Sequence, residues 1–169
     1  MQKLARLMAG ALSAGLNKRK IIYPCTPVPE NIAGTWQSGI FPMNEFWQYN
    51  GYYRSRTDMY TLRYMIAADG STEEFCYADI NNEAEQFQLL SYRSGTVTFD
   101  KENSTLRFYA TYGNCRTYCG NANSWCSYAD KDLYPIYAPT YENCIVYNGI
   151  SLLCVDDNNN VLQFRKMPG

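Results

Sequence analysis

Beyond residue 30 the chain reads as short runs of β-branched and aromatic residues separated by turn residues. The first run covers 32–41. The second, 59–66, ends close to Asp69-Gly70 before apolar residues return at 75–77. An Asp-Gly pair between two such runs is a strong signal for a tight turn. The pattern therefore predicts a first strand followed by an antiparallel hairpin.

The middle of the chain repeats this pattern. Runs at 87–92 and 96–99 are followed by turn residues at 101–104 and by an alternating run at 106–112. Alternation of apolar and polar residues is typical of a strand with one buried face. We predict a second hairpin here, and we interpret the following residues, 113–128, as a long insertion.

The last third of the chain contains two short turns. The run 144–147 turns at Asn148-Gly149 into 151–155, and the turn residues 156–160 lead into 161–164. Asn-Gly is the sequence that a two-residue hairpin turn favours, because both of its residues tolerate positive φ. We therefore predict a three-stranded meander at the end of the domain.

Together these elements predict an all-β fold of about eight strands. No stretch has a helical period long enough to supply the crossovers that parallel strands need. An antiparallel up-and-down β-barrel leaves no exposed sheet edge, so it suits these strands best, and a β-sandwich is the alternative. We expect a short helix before the first strand.

The N-terminal segment, 1–20, differs in composition from the rest. Lys3 and Arg6 precede a mildly apolar run at 7–16, and the first acidic residue is Glu30. This order is typical of an export signal, and an organelle-targeting segment is the alternative. An ordinary amphipathic helix is a further alternative, with one face formed by Leu4, Leu7, Met8, Ala11 and Leu12. We expect an exported protein.

The remainder divides into a Pro-rich linker at 21–30 and a barrel domain at 31–169. Cys25 lies in the linker and invites comparison with the acylated cysteine of lipoproteins. A lipid-anchored cysteine follows small residues, whereas Ile22, Tyr23 and Pro24 precede this one, which disfavours an anchor. Peripheral association with a membrane or with the cell envelope is the most that we expect.

Charge and composition limit the functions open to this chain. Its 169 residues carry 15 basic and 16 acidic side chains, without the basic surface that nucleic-acid binding requires. No apolar run is long enough for a transmembrane helix. The chain has no histidine, which excludes Ser-His and Cys-His catalysis and histidine-bound zinc. We predict no catalytic residues, no bound metal and no cofactor.

Gly34-Thr35-Trp36, on the first predicted strand, resembles the Gly-x-Trp signature of lipocalins and calycin-type barrels. The wider stretch through Glu45-Phe46-Trp47 and Asp69-Gly70 is similar to exported bacterial lipocalin-like proteins, most of them uncharacterised. The resemblance implies that Trp36 packs at the closed end of the barrel, under an arginine from the last strand. Arg165 stands at the matching place, where a cation–π contact would contribute about 1 kcal/mol.

A cluster of aromatic residues follows the first predicted strand. Rigid aromatic surface with polar tips suits both small ligands and protein interfaces. We expect this segment to lie over the mouth of the barrel and to bind a ligand or a partner, and the alternative is that it folds inward and plugs the barrel. The predicted binding residues are Phe41, Phe46, Trp47, Tyr49, Tyr52 and Tyr53.

Six of the seven cysteines follow the predicted linker. In an exported chain such cysteines usually form disulfides. A zinc site built from thiolates is the disfavoured alternative, since no Cys-x-x-Cys pair is present. Cys25 is the natural unpaired one. The disulfide candidates are Cys76, Cys115, Cys119, Cys126, Cys144 and Cys154.

These observations favour a non-catalytic binding module. As in lipocalins, the barrel would hold a small apolar or sugar-like ligand at its mouth. The alternative is a structural or accessory subunit that docks into a larger assembly through the aromatic segment and the N-terminal segment. The expected partner is therefore a small molecule or a protein, and not nucleic acid.

Overall fold

A computed structural model of the chain describes residues 23–51, 58–81, 86–119, 122–127 and 140–168. For 81, 86, 119 and 122–127 it describes the backbone alone. The strands are β1 (Gly34–Ser38), β2 (Met59–Ile66), β3 (Ser71–Asn81), β4 (Gln86–Asp100), β5 (Thr105–Cys119), β6 (Ala122–Ser127), β7 (Thr140–Tyr147), β8 (Ser151–Val155) and β9 (Val161–Lys166). A 3-10 helix (Met43–Gln48) lies between β1 and β2.

Within the described residues, eight strands close into an antiparallel barrel in the order β1-β2-β3-β4-β5-β7-β8-β9, and β9 returns to β1. The ring closes between β5 and β7, where Leu106 faces Tyr141 and Arg107 faces Thr140. Strand β6 pairs with the second half of β5, outside the ring. The predicted up-and-down barrel of about eight strands is confirmed, and closure of the sheet excludes the β-sandwich.

Strand β4 is longer than the sequence pattern predicts. The runs 87–92 and 96–99 belong to one strand, which pairs with β3 without interruption from Gln86 to Thr96. On its other side the register with β5 shifts at Ser94 and Gly95, where Thr111 is an extra residue of β5 and forms a β-bulge. A Cβ atom added at Gly95 would lie 2.0 Å from the carbonyl oxygen of Tyr109. Gly95 therefore marks a close approach of two strands and not a turn.

The expected insertion at 113–128 is also wrong in part. Its first residues continue β5 without interruption to Cys119, and Ala122–Ser127 pairs back on them as β6. The β4–β5 ladder runs as far as Phe87 opposite Cys119, so the backbone groups of this segment are paired like those of any strand.

The main core fills the interior of the barrel. Successive residues of a strand point to opposite faces, and every strand of the ring contributes buried apolar side chains to this core. Full burial of one large apolar side chain contributes about 2 kcal/mol. The largest members are Trp36, Tyr64, Phe108, Tyr141 and Phe164.

The two ends of the barrel differ. At one end the strands are joined by tight turns, and the residues before β1 lie across the opening with Val28 and Ile32 in the core. The indole Nε1 of Trp36 donates to the carbonyl oxygen of Ile32 at 2.6 Å. We call this the closed end. The opposite end, where β2, β4, β7 and β9 begin, is the mouth.

A second apolar cluster lies on the outer face of the barrel wall. Phe75 and Tyr77 belong to it, whereas Cys76 between them belongs to the interior core. The segment after β1 crosses this outer face of β3, β4 and β5, so the wall is covered on both sides here. We call this cluster the wall cluster: Phe41, Met43, Phe46, Tyr49, Phe75, Tyr77, Leu90 and Tyr118.

The expected N-terminal helix and the targeting segment at 1–20 lie outside the described residues. In the part of the chain that the structure describes, no helix has the length and apolar character needed to cross a membrane. Of the predicted linker, the residues from Tyr23 onward are ordered along the closed end. There Thr26 donates its N–H to Val97, and Val28 donates its N–H to Ala68.

Candidate binding site at the barrel mouth

The aromatic segment lies against the outer wall and not over the mouth. Phe41, Phe46 and Tyr49 are buried in the wall cluster, where the ring of Phe41 stacks on Tyr77 with 3.9 Å between centroids. Trp47 remains 51% exposed beside them. The physical reason is the apolar outer face of β3, which needs a cover. Tyr52 and Tyr53 lie outside the described residues.

Hydrogen bonds fix this segment to the wall. The hydroxyl of Tyr49 donates to Oε1 of Gln88 at 3.1 Å, and the hydroxyl of Tyr118 donates to the carbonyl oxygen of Tyr49 at 2.7 Å. The guanidinium of Arg116 donates to the carbonyl oxygen of Phe46 at 2.6 Å. These partners are themselves buried, so the three buried aromatic residues act as structure and leave the mouth to other residues.

The barrel is closed over Trp36 by a lysine in place of the predicted Arg165. The ammonium of Lys166 lies 5.2 Å from the centroid of the Trp36 ring, and the two residues face each other across the β1–β9 pair. Arg165 faces Gln37 instead and is exposed. Alternation along β9 explains the difference, because Phe164 points inward and Lys166 shares its face.

Three predicted disulfide candidates, Cys76, Cys144 and Cys154, are free thiols in the described structure, and so is Cys25. The residues opposite Cys76 on the neighbouring strands are Leu62 and Ser91, neither of which can form a disulfide. The disulfide prediction is therefore wrong for these three.

Cys144 and Cys154 are hydrogen-bonded neighbours inside the core. Their contact, together with burial, raises the pKa of the Cys154 thiol, and the Cys144 thiol donates to the carbonyl oxygen of Tyr141. Cys115 is disulfide-bonded, and Cys126 faces it in the β5–β6 register. The side chains of Cys119 and Cys126 lie outside the described residues.

A polar cluster lies inside the barrel, at the side of the core that faces the mouth. Arg93 donates from Nε and Nη2 to the two oxygens of Glu74, at 2.7 and 2.8 Å. Tyr64 donates to Oε2 of the same carboxylate at 2.5 Å. The hydroxyl of Tyr141 is 2.7 Å from that of Tyr64 and donates to it, since the only hydroxyl hydrogen of Tyr64 already faces Glu74.

Tyr60 continues this cluster towards the mouth. Its ring is 59% exposed, whereas its hydroxyl points inward and hydrogen-bonds with Cys76. Burial of that hydroxyl and the nearby Cys76 raise the pKa of Tyr60. Burial, together with the charge of Glu74, raises the pKa of Cys76 to about 12.

The other two phenols of the cluster behave in the same way. Burial and the negative charge of Glu74 raise the pKa of Tyr64 and the pKa of Tyr141. Both side chains therefore stay protonated at neutral pH and act as hydrogen-bond donors. The cluster as a whole offers donors and a neutralised carboxylate at the base of the mouth.

Above this cluster the mouth contains a pocket of about 390 Å³. Its inner wall is formed by Tyr60, Leu62, Tyr141 and Leu162, which combine aromatic and aliphatic surface. Pockets that hold small ligands usually have volumes of a few hundred cubic ångströms and a mostly apolar lining. The size and lining of this pocket fit a small molecule.

The rim of the pocket is acidic. It is formed by the β8–β9 turn with Asp156 and Asp157, and no basic side chain lines the described pocket. Side-chain and backbone hydrogen bonds from Asn160 lower the pKa of Asp156, so this carboxylate stays ionised in the neutral range. Asp157 accepts the backbone N–H of Thr140 at 3.2 Å. The rim therefore offers hydrogen-bond acceptors and negative charge.

Within the described residues, no three cysteine or carboxylate side chains come together in a group that would hold a metal ion. The arrangement at the mouth suits recognition of a ligand that has an apolar body and donor groups at one end. A proton transfer near neutral pH would need a group that titrates there, and the phenols and the thiol of this cluster have raised pKa values.

These residues were not predicted from the sequence, because each has an ordinary strand neighbourhood. The usable signal was alternation: Tyr60, Leu62 and Tyr64 share the interior face of β2. Because Glu74 lies one residue before Phe75 of the wall cluster and two before Cys76 of the core, its face is ambiguous from sequence alone.

No protein-family model, no curated protein and no solved structure matches the chain.

Proposed function

We propose that the protein is a non-catalytic, lipocalin-like binding barrel that holds a small ligand at its mouth. The observation that carries the proposal is the pocket of about 390 Å³ above the interior polar cluster. The closed barrel with Trp36 at its sealed end is consistent with the resemblance to lipocalins. A pocket at the open end of a small β-barrel is a common position for a ligand.

The lining indicates the class of ligand. Leu62, Leu162 and the ring of Tyr141 favour an apolar or aromatic body that enters the barrel. Asp156 and Asp157 favour hydroxyl or amine donors at the outer end and disfavour an anionic group. The proposed ligand is therefore an apolar or sugar-like molecule, neutral or cationic, with donors at one end.

The proposed protein binds its ligand without catalysis and is exported. The raised pKa values of Tyr60 and Tyr64 support a binding role, because neither group serves as a base near neutral pH. Export is supported by the basic and then apolar order of 1–20. Intact-mass measurement of the protein from its native source tests export: a mature chain that lacks this segment supports it, and a full-length chain contradicts it.

Binding is tested with N-phenyl-1-naphthylamine, a neutral dye whose fluorescence rises in apolar sites. We expect saturable binding to the wild-type protein. Leu162→Trp places a larger ring in the pocket and is expected to weaken binding about tenfold or more, because the indole occupies part of the space that the dye needs. The matched control is Val161→Trp, one residue away and exposed on the outer face.

The comparison of the two variants decides the proposal. Equal dye affinity in Leu162→Trp and Val161→Trp would place the dye outside the mouth. Absence of saturable binding by the folded wild-type protein, with this dye and with a primary-amine analogue of it, would contradict a ligand-binding mouth. Circular dichroism and thermal unfolding show that each variant is folded before its affinity is compared.

A further inference from the structure

A separate groove of about 580 Å³ lies on the outer wall of the barrel, away from the mouth. It crosses β1 to β5 near the closed end. Six of its twelve lining residues carry hydroxyl groups, and the exposed side chain of Met65 adds apolar surface beside them. Glu73 is its one charged lining residue, and the described lining contains no basic side chain. The polar lining residues that point outward are Thr35, Ser71, Glu73, Ser94, Thr96 and Thr111.

The floor of the groove is backbone at two glycines, whose missing side chains would point into the barrel. Gly34 and Gly95 both line it. At Gly95 the close approach of the Tyr109 carbonyl leaves no room for a Cβ. The extra residue of the β4–β5 bulge, Thr111, also lines the groove, and a bulge bends its strand and re-aims neighbouring side chains.

Exposed aromatic rings continue the groove along the wall. Ser94, in the groove, faces Tyr112 across the β4–β5 pair, and Tyr92 is the next outward residue of β4. The Tyr92 ring lies 6.3 Å from Tyr112 and 5.2 Å from Trp47, centroid to centroid. Tyr112 is 57% exposed and Trp47 is half-exposed, so two of the three rings present faces to solvent.

We call the rings of Trp47, Tyr92 and Tyr112 the aromatic strip, and hydrogen bonds connect this strip to the groove. The hydroxyl of Tyr92 donates to Oε1 of Glu73 at 3.1 Å, and the amide of Asn114 donates to the hydroxyl of Tyr112 at 3.4 Å. The strip thus ends in a carboxylate and in hydroxyl groups that both donate and accept. One ligand that spans the two parts would meet ring faces first and hydrogen-bonding groups second.

We propose that this outer surface binds a neutral saccharide chain. Sugar rings expose C–H groups that stack on Tyr and Trp faces, and their hydroxyls exchange hydrogen bonds with Thr, Ser and Glu side chains. Glu73 accepts hydroxyl hydrogens and disfavours anionic sugars, since no basic lining residue offsets it. The proposal is independent of the mouth pocket, which shares no lining residue with the groove.

A proline-rich peptide is the main competing occupant, because such peptides also bind aromatic strips. Proline has no backbone N–H, so this peptide would bring few donors to Glu73 and to the hydroxyl-lined groove. A saccharide brings a donor and an acceptor at each hydroxyl. The polar half of the surface therefore favours the saccharide.

The test is calorimetric and NMR titration of the full chain with four neutral hexasaccharides: cellohexaose, maltohexaose, laminarihexaose and chitohexaose. At least one is expected to bind at millimolar concentration or tighter. Tyr112→Ala and Trp47→Ala are each expected to weaken binding about three- to tenfold, the effect of one lost ring contact. Glu73→Gln keeps the side-chain shape and tests the carboxylate separately.

Two control variants separate this site from other surfaces. Tyr147→Ala removes a similarly exposed ring elsewhere on the barrel and is expected to leave saccharide affinity unchanged. Leu162→Trp alters the mouth and is also expected to leave it unchanged. Dye binding thus tests the ligand site at the mouth, and saccharide binding tests the groove separately.

Three outcomes would overturn the groove proposal. The first is that none of the four hexasaccharides binds the folded protein. The second is binding that Tyr112→Ala leaves intact, or that Tyr147→Ala or Leu162→Trp weakens equally, because the site would then lie elsewhere. The third is preferential binding of a deca-proline peptide that Tyr112→Ala abolishes, which would assign the strip to a peptide.

Discussion

The ammonium of Lys166 lies over the ring of Trp36 and faces it directly across the β1–β9 pair. This contact joins the first strand of the barrel to the last at the closed end. The indole Nε1 is held by Ile32, so the ring presents a fixed face to the cation. A cation–π contact at a half-buried position contributes about 1 kcal/mol.

Replacing Lys166 by methionine is therefore expected to lower the free energy of unfolding by about 1 kcal/mol, since the methionine keeps the apolar stem and loses the charge. Arg165→Met is the matched control, and its effect is expected to be within about 0.5 kcal/mol because that side chain is exposed. Urea unfolding measures both. Equal effects of the two substitutions would contradict the assignment of the cation to Lys166.

The wall cluster predicts a sharp contrast between two neighbouring aromatic residues. Phe41 is fully buried and stacks on Tyr77, so Phe41→Ala is expected to destabilise the protein by about 3 kcal/mol or more. Trp47 is half-exposed, and Trp47→Ala is expected to cost about 1 kcal/mol or less. Thermal and urea unfolding check both values. A large loss for Trp47→Ala would show that the exposed ring is structural and would weaken its proposed role in binding.

Much of this fold follows from local signals in the sequence. The run predicted at 59–66 is strand β2 with the same bounds, because its pattern and the Asp69-Gly70 turn agree. The break expected in β4 failed because Ser94-Gly95 resembles a turn in sequence. What decides between a turn and a continued strand is the pairing with β3 and the approach of Tyr109 from β5, which local sequence does not contain.

The sites were harder to predict than the strands. The unbroken apolar run Phe75-Cys76-Tyr77 was the one sign that the wall is covered on both faces, since a half-exposed strand alternates. Alternation from Phe164 also pointed to Lys166 and away from Arg165. The partners of Glu74 come from separate strands, β2 and β4, so their meeting depends on the register of the closed barrel.

The buried ion pair gives a further prediction. Arg93→Met leaves the carboxylate of Glu74 inside the barrel without its cation, and we expect a loss of about 3 kcal/mol. Adding Glu74→Gln removes the uncompensated charge and is expected to restore more than half of that loss. A double-mutant cycle in urea measures the coupling. Additive effects of the two substitutions would contradict a direct interaction.

The buried phenols predict a loss of stability in alkali. Tyr64 and Tyr141 have pKa values raised by burial and by Glu74, so the folded state keeps their protons where the unfolded chain releases them, above about pH 10. Because the folded state then binds more protons, the free energy of unfolding falls as the pH rises. The expected slope is about 1.4 kcal/mol per pH unit for each such phenol.

This stability is fully present below about pH 10 and is lost progressively above it. Absorbance at 295 nm reports phenolate, and circular dichroism reports unfolding. Tyr64 and Tyr141 are expected to ionise only as the barrel unfolds. Between neutral pH and alkali, Tyr141→Phe is expected to lose less free energy of unfolding than the wild-type protein, because one buried phenol is gone. Tyr147→Phe, at an exposed site, is expected to lose as much as the wild-type protein. Complete phenolate formation in a barrel that is still folded would show that these hydroxyls reach solvent, and that the cluster is open to the mouth in solution.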